Sequence, residues 1–163
     1  MIVKGSPNIV VRRAFPSDLD TLYRIEIECF GEDAFPKSYI RRIIEEPYFI
    51  TLVALLNDEI VGFIIGALES FLGRLAGHIY SIDVKPEYRG MGVGSRLLGA
   101  MEEELKGAGA EICCLEVSVD NTAALNLYLK HNYRVIERLK NYYGIGRDGM
   151  RLVKKLGEIE VRQ

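Results

Sequence analysis

Two features of this 163-residue sequence carry chemistry that their surroundings do not ask for. The first is Glu116, in the middle of Ile-Cys-Cys-Leu-Glu-Val-Ser-Val, residues 112–119, a run that otherwise reads as a buried strand. An unpaired buried carboxylate is expensive. Glu116 is therefore either paired with a neighbouring Arg, Ser or Tyr, or kept as a base for proton transfer. The second is Arg89-Gly90-Met91-Gly92-Val93-Gly94, which follows an apolar strand over residues 79–84 and a Pro-containing turn, and leads into a helix opening at about Gly92. Three glycines in five residues leave backbone N–H groups uncovered, beside the free donors and positive dipole end of a helix. That combination suits an anion, most naturally a phosphate. The alternative is a tight turn whose glycines serve sterics alone. The loop is not a Walker A motif, because Ser95 rather than Lys follows Gly94. It is not a G-x-G-x-x-G dinucleotide fingerprint either, because Ser95 or Leu97 occupies the sixth position.

The elements that must position these residues follow from periodicity. Strands are predicted over residues 9–13, 49–56, 60–68, 78–84, 112–119, 133–138 and 150–155, and helices over 16–30, 37–46, 92–108 and 123–131. Ser17 reads as the first helix's N-cap and Asn121 as a cap of the last. Asn57-Asp58-Glu59 separates the second and third strands as a hairpin turn. The order βααβββαβαββ implies an α/β (α+β) chain with a mixed, mostly antiparallel sheet of about seven strands and helices on both faces. One domain is expected over residues 1–156, with a loose tail over 157–163. Net charge is −2, which gives no basis for nucleic-acid binding. No apolar run is long enough for a membrane span and the N-terminus lacks a signal-peptide core, so a cytoplasmic protein is expected. Cys29, Cys113 and Cys114 form neither a disulfide framework nor a Cys-x-x-Cys pair, and no metal site is predicted.

Arg-x-x-Gly-x-Gly after a Val-x-Pro-x-Tyr-Arg turn resembles the acetyl-CoA pyrophosphate loop of the GNAT superfamily of N-acyltransferases. Leu115-Glu116-Val117, followed by Asn121, Ala124, Leu127-Tyr128, Lys130 and Tyr133, resembles that superfamily's second block, and the element order agrees over nearly the whole chain. Gly77-His78-x-x-Ser81-Ile82 and Asn141-Tyr142-Tyr143 are most similar to the RimI-type and archaeal Ard1-type protein N-terminal acetyltransferases.

The resemblance implies roles. Acetyl-CoA is the expected cosubstrate. Residues Arg89, Gly90, Met91, Gly92, Val93, Gly94 and Ser95 would wrap its pyrophosphate, with Arg89 adding charge or bracing the loop. The main chain of Ile82, Asp83 and Val84 would pair with the pantetheine arm, with an N–H near Val84 as oxyanion donor. Asn121 would touch the pantetheine, or serve only as a helix cap. Glu116 and His78 are the candidate bases, on strands the resemblance places side by side. Tyr128 holds the position of the proposed general acid for the leaving thiolate. A phenol near pKa 10 is a weaker acid than a thiol near 8.5, so hydrogen bonding to the developing thiolate is an equal reading. Phe35, Tyr39, His78, Tyr142 and Tyr143 would contact the acceptor, although surface aromatics covering a sheet end would look the same.

The implied reaction is direct transfer of acetyl to the α-amino group of a peptide or protein N-terminus, in a ternary complex. Ribosome or nascent-chain association fits such an acceptor, and no nucleic-acid or membrane partner is expected. Deprotonating an α-ammonium at pH 7 costs about 1.4 kcal/mol against about 4.6 for a lysine, so a modest base acting through water suffices. The competing readings are a GNAT that acetylates a small amine such as a polyamine, and a non-catalytic acyl-CoA-binding module.

Overall fold

The computed structural model describes residues 8–157. Its strands are β1 (Ile9–Arg13), β2 (Phe49–Leu56), β3 (Glu59–Phe71), β4 (Arg74–Val84), β5 (Ile112–Ser118), β6 (Arg134–Leu139) and β7 (Gly149–Lys155). Its α-helices are α1 (Leu19–Phe30), α2 (Lys37–Glu45), α3 (Val93–Gly107) and α4 (Thr122–Lys130). They alternate in the order that hydrophobic periodicity predicts. The expected tail beyond Gly157 lies outside the described residues. The seven strands form one mostly antiparallel sheet in the order β1-β2-β3-β4-β5-β7-β6. β4 and β5 are parallel, with His78 opposite Cys114 and Ile79 opposite Leu115. A parallel pair needs a long crossover, which α3 supplies. No helix among the described residues is long and apolar enough to cross a membrane.

By internal contacts the chain divides into two compact units, one running to Gly66 and including Ser81–Met101, the other made of Ala67–Tyr80 and the chain from Glu102 onward. The first unit is built on the buried faces of α1 (Leu22, Ile25), α2 (Ile40, Ile43), β3 (Phe63, Ile64, Ile65) and α3 (Leu97, Leu98, Met101). Its first helix does not begin on a Ser17 cap. Pro16–Asp18 forms a 3-10 turn instead. Asp18, largely buried, accepts the Phe15 N–H (2.7 Å) and the Arg12 guanidinium (2.8 Å). Arg12 is the main reason that the Asp18 carboxyl sits below its ordinary range.

The β2–β3 turn is as expected. Asn57 (φ 50°) and Asp58 (φ 64°) are both left-handed, the backbone of a two-residue type I′ hairpin. A second such turn, Leu72 (φ 50°) and Gly73 (φ 75°), joins β3 to β4. The sequence reading ended the third strand at Leu68 and began the fourth at His78. A leucine is a poor signal for a left-handed position, which disfavours any side chain with a Cβ. The correction matters to the site, because it places Glu69 on a strand rather than in a loop.

In the second unit β5 is flanked by β4 and β7, and β7 by β6. Half-buried Glu102, in the part of α3 that belongs to this unit, accepts Tyr133 Oη (2.7 Å) and Lys154 Nζ (2.8 Å). Cys113 and Cys114 are buried, which pushes both thiols up to about 12. They are therefore neutral packing groups at physiological pH. Asn121 caps α4, its Oδ1 accepting the Ala124 N–H at 3.2 Å. Asn121→Ala is expected to cost about 1 kcal/mol in thermal or denaturant unfolding. If the cap is its only role, the KM for acetyl-CoA stays unchanged.

Candidate active site

The glycine loop belongs to the first unit. Gly90 (φ 78°) and Gly92 (φ 86°) take left-handed conformations, and a β-carbon at either would project into open space. Glycine is required there by the backbone, and the space in front of it is clear. The helix opens one residue later than predicted, at Val93, and its ladder begins with Arg96 N–H to Gly92 C=O at 3.0 Å. The first-turn amides of Val93, Gly94 and Ser95 precede that bond, and no acidic side chain stands in the first turn. Uncovered first-turn amides at the positive end of a helix are the features that suit an anion. The Val93 side chain is buried, so only its backbone is open to a ligand, whereas Met91 is exposed. Arg89 acts as a brace. Its Nε donates to the Val84 carbonyl (3.2 Å) and its Nη2 to Cys29 Sγ (3.6 Å).

In the same unit the rings of Phe35 and Tyr39 lie 5.1 Å apart and tilted by 49°, where the chain enters α2. The Phe35 N–H donates to Glu26 Oε2 at 3.0 Å. Asp83 is fully buried, so its side chain points into the core and only its main chain can serve a ligand.

The second unit gathers His78, Glu116 and Tyr142 into one chain of hydrogen bonds. His78 Nε2 lies 2.9 Å from Glu116 Oε1, and His78 Nδ1 lies 2.8 Å from Glu69 Oε2. Tyr142 Oη donates to Glu116 Oε1 at 3.3 Å, and Tyr80 Oη donates to Glu69 Oε1. Arg151 stands opposite Glu116 in the β5–β7 register, with its Nε 3.7 Å from Glu116 Oε2, while its Nη1 binds Glu137 at 2.7 Å. The His78 and Tyr80 rings are 4.4 Å apart, on the same side of β4.

This arrangement sets the protonation states. Burial opposes the charge of Glu116, but the His78 bond and the Arg151 charge outweigh it and lower its pKa. Burial likewise opposes a charged His78, but Glu116 and Glu69 raise it above its ordinary value. Both ring nitrogens face carboxylate oxygens, so both are donors in the cationic form. Burial and the negative Glu116 raise Tyr142, which stays a neutral donor. Below the raised value of His78, therefore, the site holds an ionised carboxylate beside an imidazolium. Glu116 is then the group with a lone pair to offer.

The model of the Acetyltransferase (GNAT) family matches residues 19–133, most of the chain. The chain belongs to the GNAT family of acetyltransferases. An N-alpha-acetyltransferase of Sulfolobus acidocaldarius is 34% identical to it over 154 residues, covering 89% of this chain and 91% of that protein. Among solved structures, Ard1 from Thermoplasma volcanium matches with a TM-score of 0.81 at 26% identity, over 92% of this chain and 99% of that one. An aminoglycoside 6'-N-acetyltransferase complexed with coenzyme A matches with a TM-score of 0.79 at 17% identity, over 91% and 98%, a likeness of fold alone. This GNAT chain is an acyltransferase, and acetyl-CoA is its acetyl donor.

Within the GNAT frame the structure adds residues that the sequence did not single out: Glu69, Tyr80 and Arg151. Glu69 was hidden by the missed hairpin. Arg151 was visible only as one charge on a strand, and its register against Glu116 needed the β5–β7 pairing. Tyr128 is buried on α4, its ring edge-on to Tyr133 at 5.7 Å. Tyr143 packs edge-on against Tyr142 at 4.9 Å. The loop carrying both is tied by Asp148, which accepts Arg138 (2.9 Å) and the Asn141 N–H (2.9 Å).

Proposed function

We propose that this GNAT enzyme acetylates the α-amino group of peptide or protein N-termini by direct transfer. The reading is carried by the Glu116 carboxylate, held ionised by His78 and bonded by Tyr142 from the β6–β7 loop. The acetyl donor supplies an activated thioester carbonyl. The glycine loop, Gly90 to Ser95, binds the donor's pyrophosphate through backbone N–H groups, and the main chain of Ile82 to Val84 aligns the pantetheine. Glu116 accepts a proton from the acceptor ammonium, through water. His78 keeps Glu116 in its basic form and is not itself the base while it is cationic. Tyr128 stabilises the departing thiolate by hydrogen bonding. Phe35, Tyr39, Tyr142 and Tyr143 contact the acceptor peptide.

The energetics favour an α-amine. A carboxylate of lowered pKa is a weak base, adequate for a group that costs about 1.4 kcal/mol to deprotonate at pH 7 and poor for a lysine amine. The relatives named N-alpha-acetyltransferase lend the same support. A polycationic small amine would be drawn by acidic side chains near the acceptor loops. Of those, Asp148 is already spent on Arg138 and Asn141.

The test is transfer from acetyl-CoA to short peptides with different first residues, beside N-blocked, lysine-containing and polyamine controls. Free N-termini are expected to be acetylated at least ten times faster than the lysine of an N-blocked peptide at pH 7. Rapid polyamine acetylation with no transfer to any N-terminus would reject the proposal.

A further inference from the structure

One buried pair of acids lies outside the chemistry above. Glu26 on α1 is 1% exposed and Asp83 on β4 is 0% exposed. Ser81 Oγ donates to Asp83 Oδ1 at 2.6 Å and lies 3.5 Å from Glu26 Oε1. Asp83 Oδ2 receives no N–H or hydroxyl donor. Its neighbour is the Glu26 carboxyl, also an acceptor when ionised. Two buried carboxylates that meet at one hydroxyl, Ser81 Oγ, do not both stay charged. The other groups facing the pair offset its charge only in part. The Arg89 charge acts to lower Asp83, but its guanidinium bonds the Val84 carbonyl and Cys29 Sγ, and burial together with Glu26 outweighs it. Cys29 on α1 is a thiol that burial above all pushes up to about 11, so it is neutral. Ser81 is neutral.

We propose that Asp83 and Glu26 share one proton, carried on Asp83 Oδ2, and that this protonated pair makes Glu26 the positioning residue for the acceptor loop. With Asp83 donating, Glu26 is one half-satisfied carboxylate whose Oε2 takes the Phe35 N–H at 3.0 Å. That bond fixes the turn leading to Phe35 and Tyr39. Without the shared proton, like charges drive the two side chains apart and the Phe35 bond loosens. The assignment of Phe35 and Tyr39 to the acceptor rests on the proposed function, whereas the shared proton does not.

The sign of the pH effect follows from linkage. Burial and Glu26 raise the Asp83 carboxyl well above its ordinary 3.8. The folded protein therefore holds a proton that the unfolded chain has already lost. The stability it contributes is complete below about pH 4 and falls as pH climbs through the raised value. In Glu26→Gln the amide oxygen still accepts from Phe35 while the amide N–H donates to an ionised Asp83, so the proton is no longer needed. In Asp83→Asn the new amide donates to Glu26 with the same result.

The experiment uses the whole chain. Melting temperature is followed against pH for wild type, E26Q and D83N, with amide exchange at Phe35 and separate KM values for peptide and acetyl-CoA. The wild-type melting temperature is expected to fall with rising pH relative to both variants. E26A should exchange the Phe35 amide about tenfold faster and raise the peptide KM about tenfold, leaving the acetyl-CoA KM within about twofold. E26Q should restore both. Parallel pH–melting curves in all three proteins would overturn the shared proton. Unchanged Phe35 exchange in E26A would overturn the positioning role, and if E26A does not fold, unchanged Phe35 exchange in Glu26→Leu, which fills the space without an acceptor, would do so. Failure of peptide turnover alone, with exchange and melting as expected, would reject the proposed acceptor and leave the pair's chemistry standing.

Discussion

Glu116→Gln is expected to lower kcat for peptide acetylation at pH 7 by about 100- to 1,000-fold, the usual worth of a positioned general base. The KM for acetyl-CoA should stay within about twofold, because the glycine loop is untouched. The pH profile is the sharper measurement. With Glu116 ionised near neutrality, a wild-type enzyme that uses it as the base should sustain its rate near pH 7 by removing the acceptor's proton within the complex. Without that base the rate follows the fraction of amine already neutral in solution. For an α-amine of pKa about 8, that fraction rises about tenfold between pH 7 and pH 9. The variant's deficit should therefore shrink about tenfold over that range, and a deficit constant with pH would show that Glu116 is not the base. The same substitution reads the ion pair in stability. Glu116 is lowered from its ordinary 4.5 and His78 raised from 6.5. Glu116 contributes stability above about pH 4.5, lost as pH falls through its folded value. His78 contributes stability below about pH 6.5, lost as pH rises through its own. The variant's loss in melting temperature should thus be greatest between those limits.

Gly62→Ala is expected to destabilise the protein by about 2–3 kcal/mol without touching a reacting group. A β-carbon on Gly62 would sit 2.6 Å from the Asp83 carbonyl oxygen and 3.3 Å from side-chain carbons of Val93 and Leu97. The first obstacle is backbone of the neighbouring strand, so a rotamer change cannot relieve it. Gly66 is the instructive contrast. There the nearest atom, at 2.7 Å, is the sulfur of Met101, an unbranched side chain that can repack. Gly66→Ala should therefore cost less, at most about 1 kcal/mol. Urea unfolding of the two variants checks the ranking, and equal losses would mean that β3 and β4 adjust more readily than their packing suggests.

The comparison of sequence with structure divides along the range of the physics. Local patterns carried the element order. Asn57-Asp58 announced its own hairpin, Asn121 its own cap, and Arg89 to Gly94 the turn into α3, because turn conformation and capping depend on the residues themselves. The glycine loop and Leu115-Glu116-Val117 also carried the family, and with it the donor and the reaction class. The single-residue errors were of the same local kind. Ser17 looked like a cap, but it lies inside the 3-10 turn Pro16–Asp18, which Asp18 holds through its bonds to Phe15 and Arg12. Leu72 did not look like a turn residue, so Glu69 went unnoticed.

By itself, then, the sequence determined the order and approximate bounds of the strands and helices, the family with its acetyl donor, and that a carboxylate stands where an aliphatic residue would pack. Tertiary structure alone decided what those acids are paired with. Pairing across β3, β4, β5 and β7 brought Glu69, His78, Glu116 and Arg151 into one chain, and so raised the pKa of His78 and lowered that of Glu116, the basis on which Glu116 is proposed as the base. It also put Glu26 beside Asp83, 57 residues apart in sequence. A side chain's charge state depends on its burial and on the charges within a few ångströms. Neither quantity exists until the strands are in register.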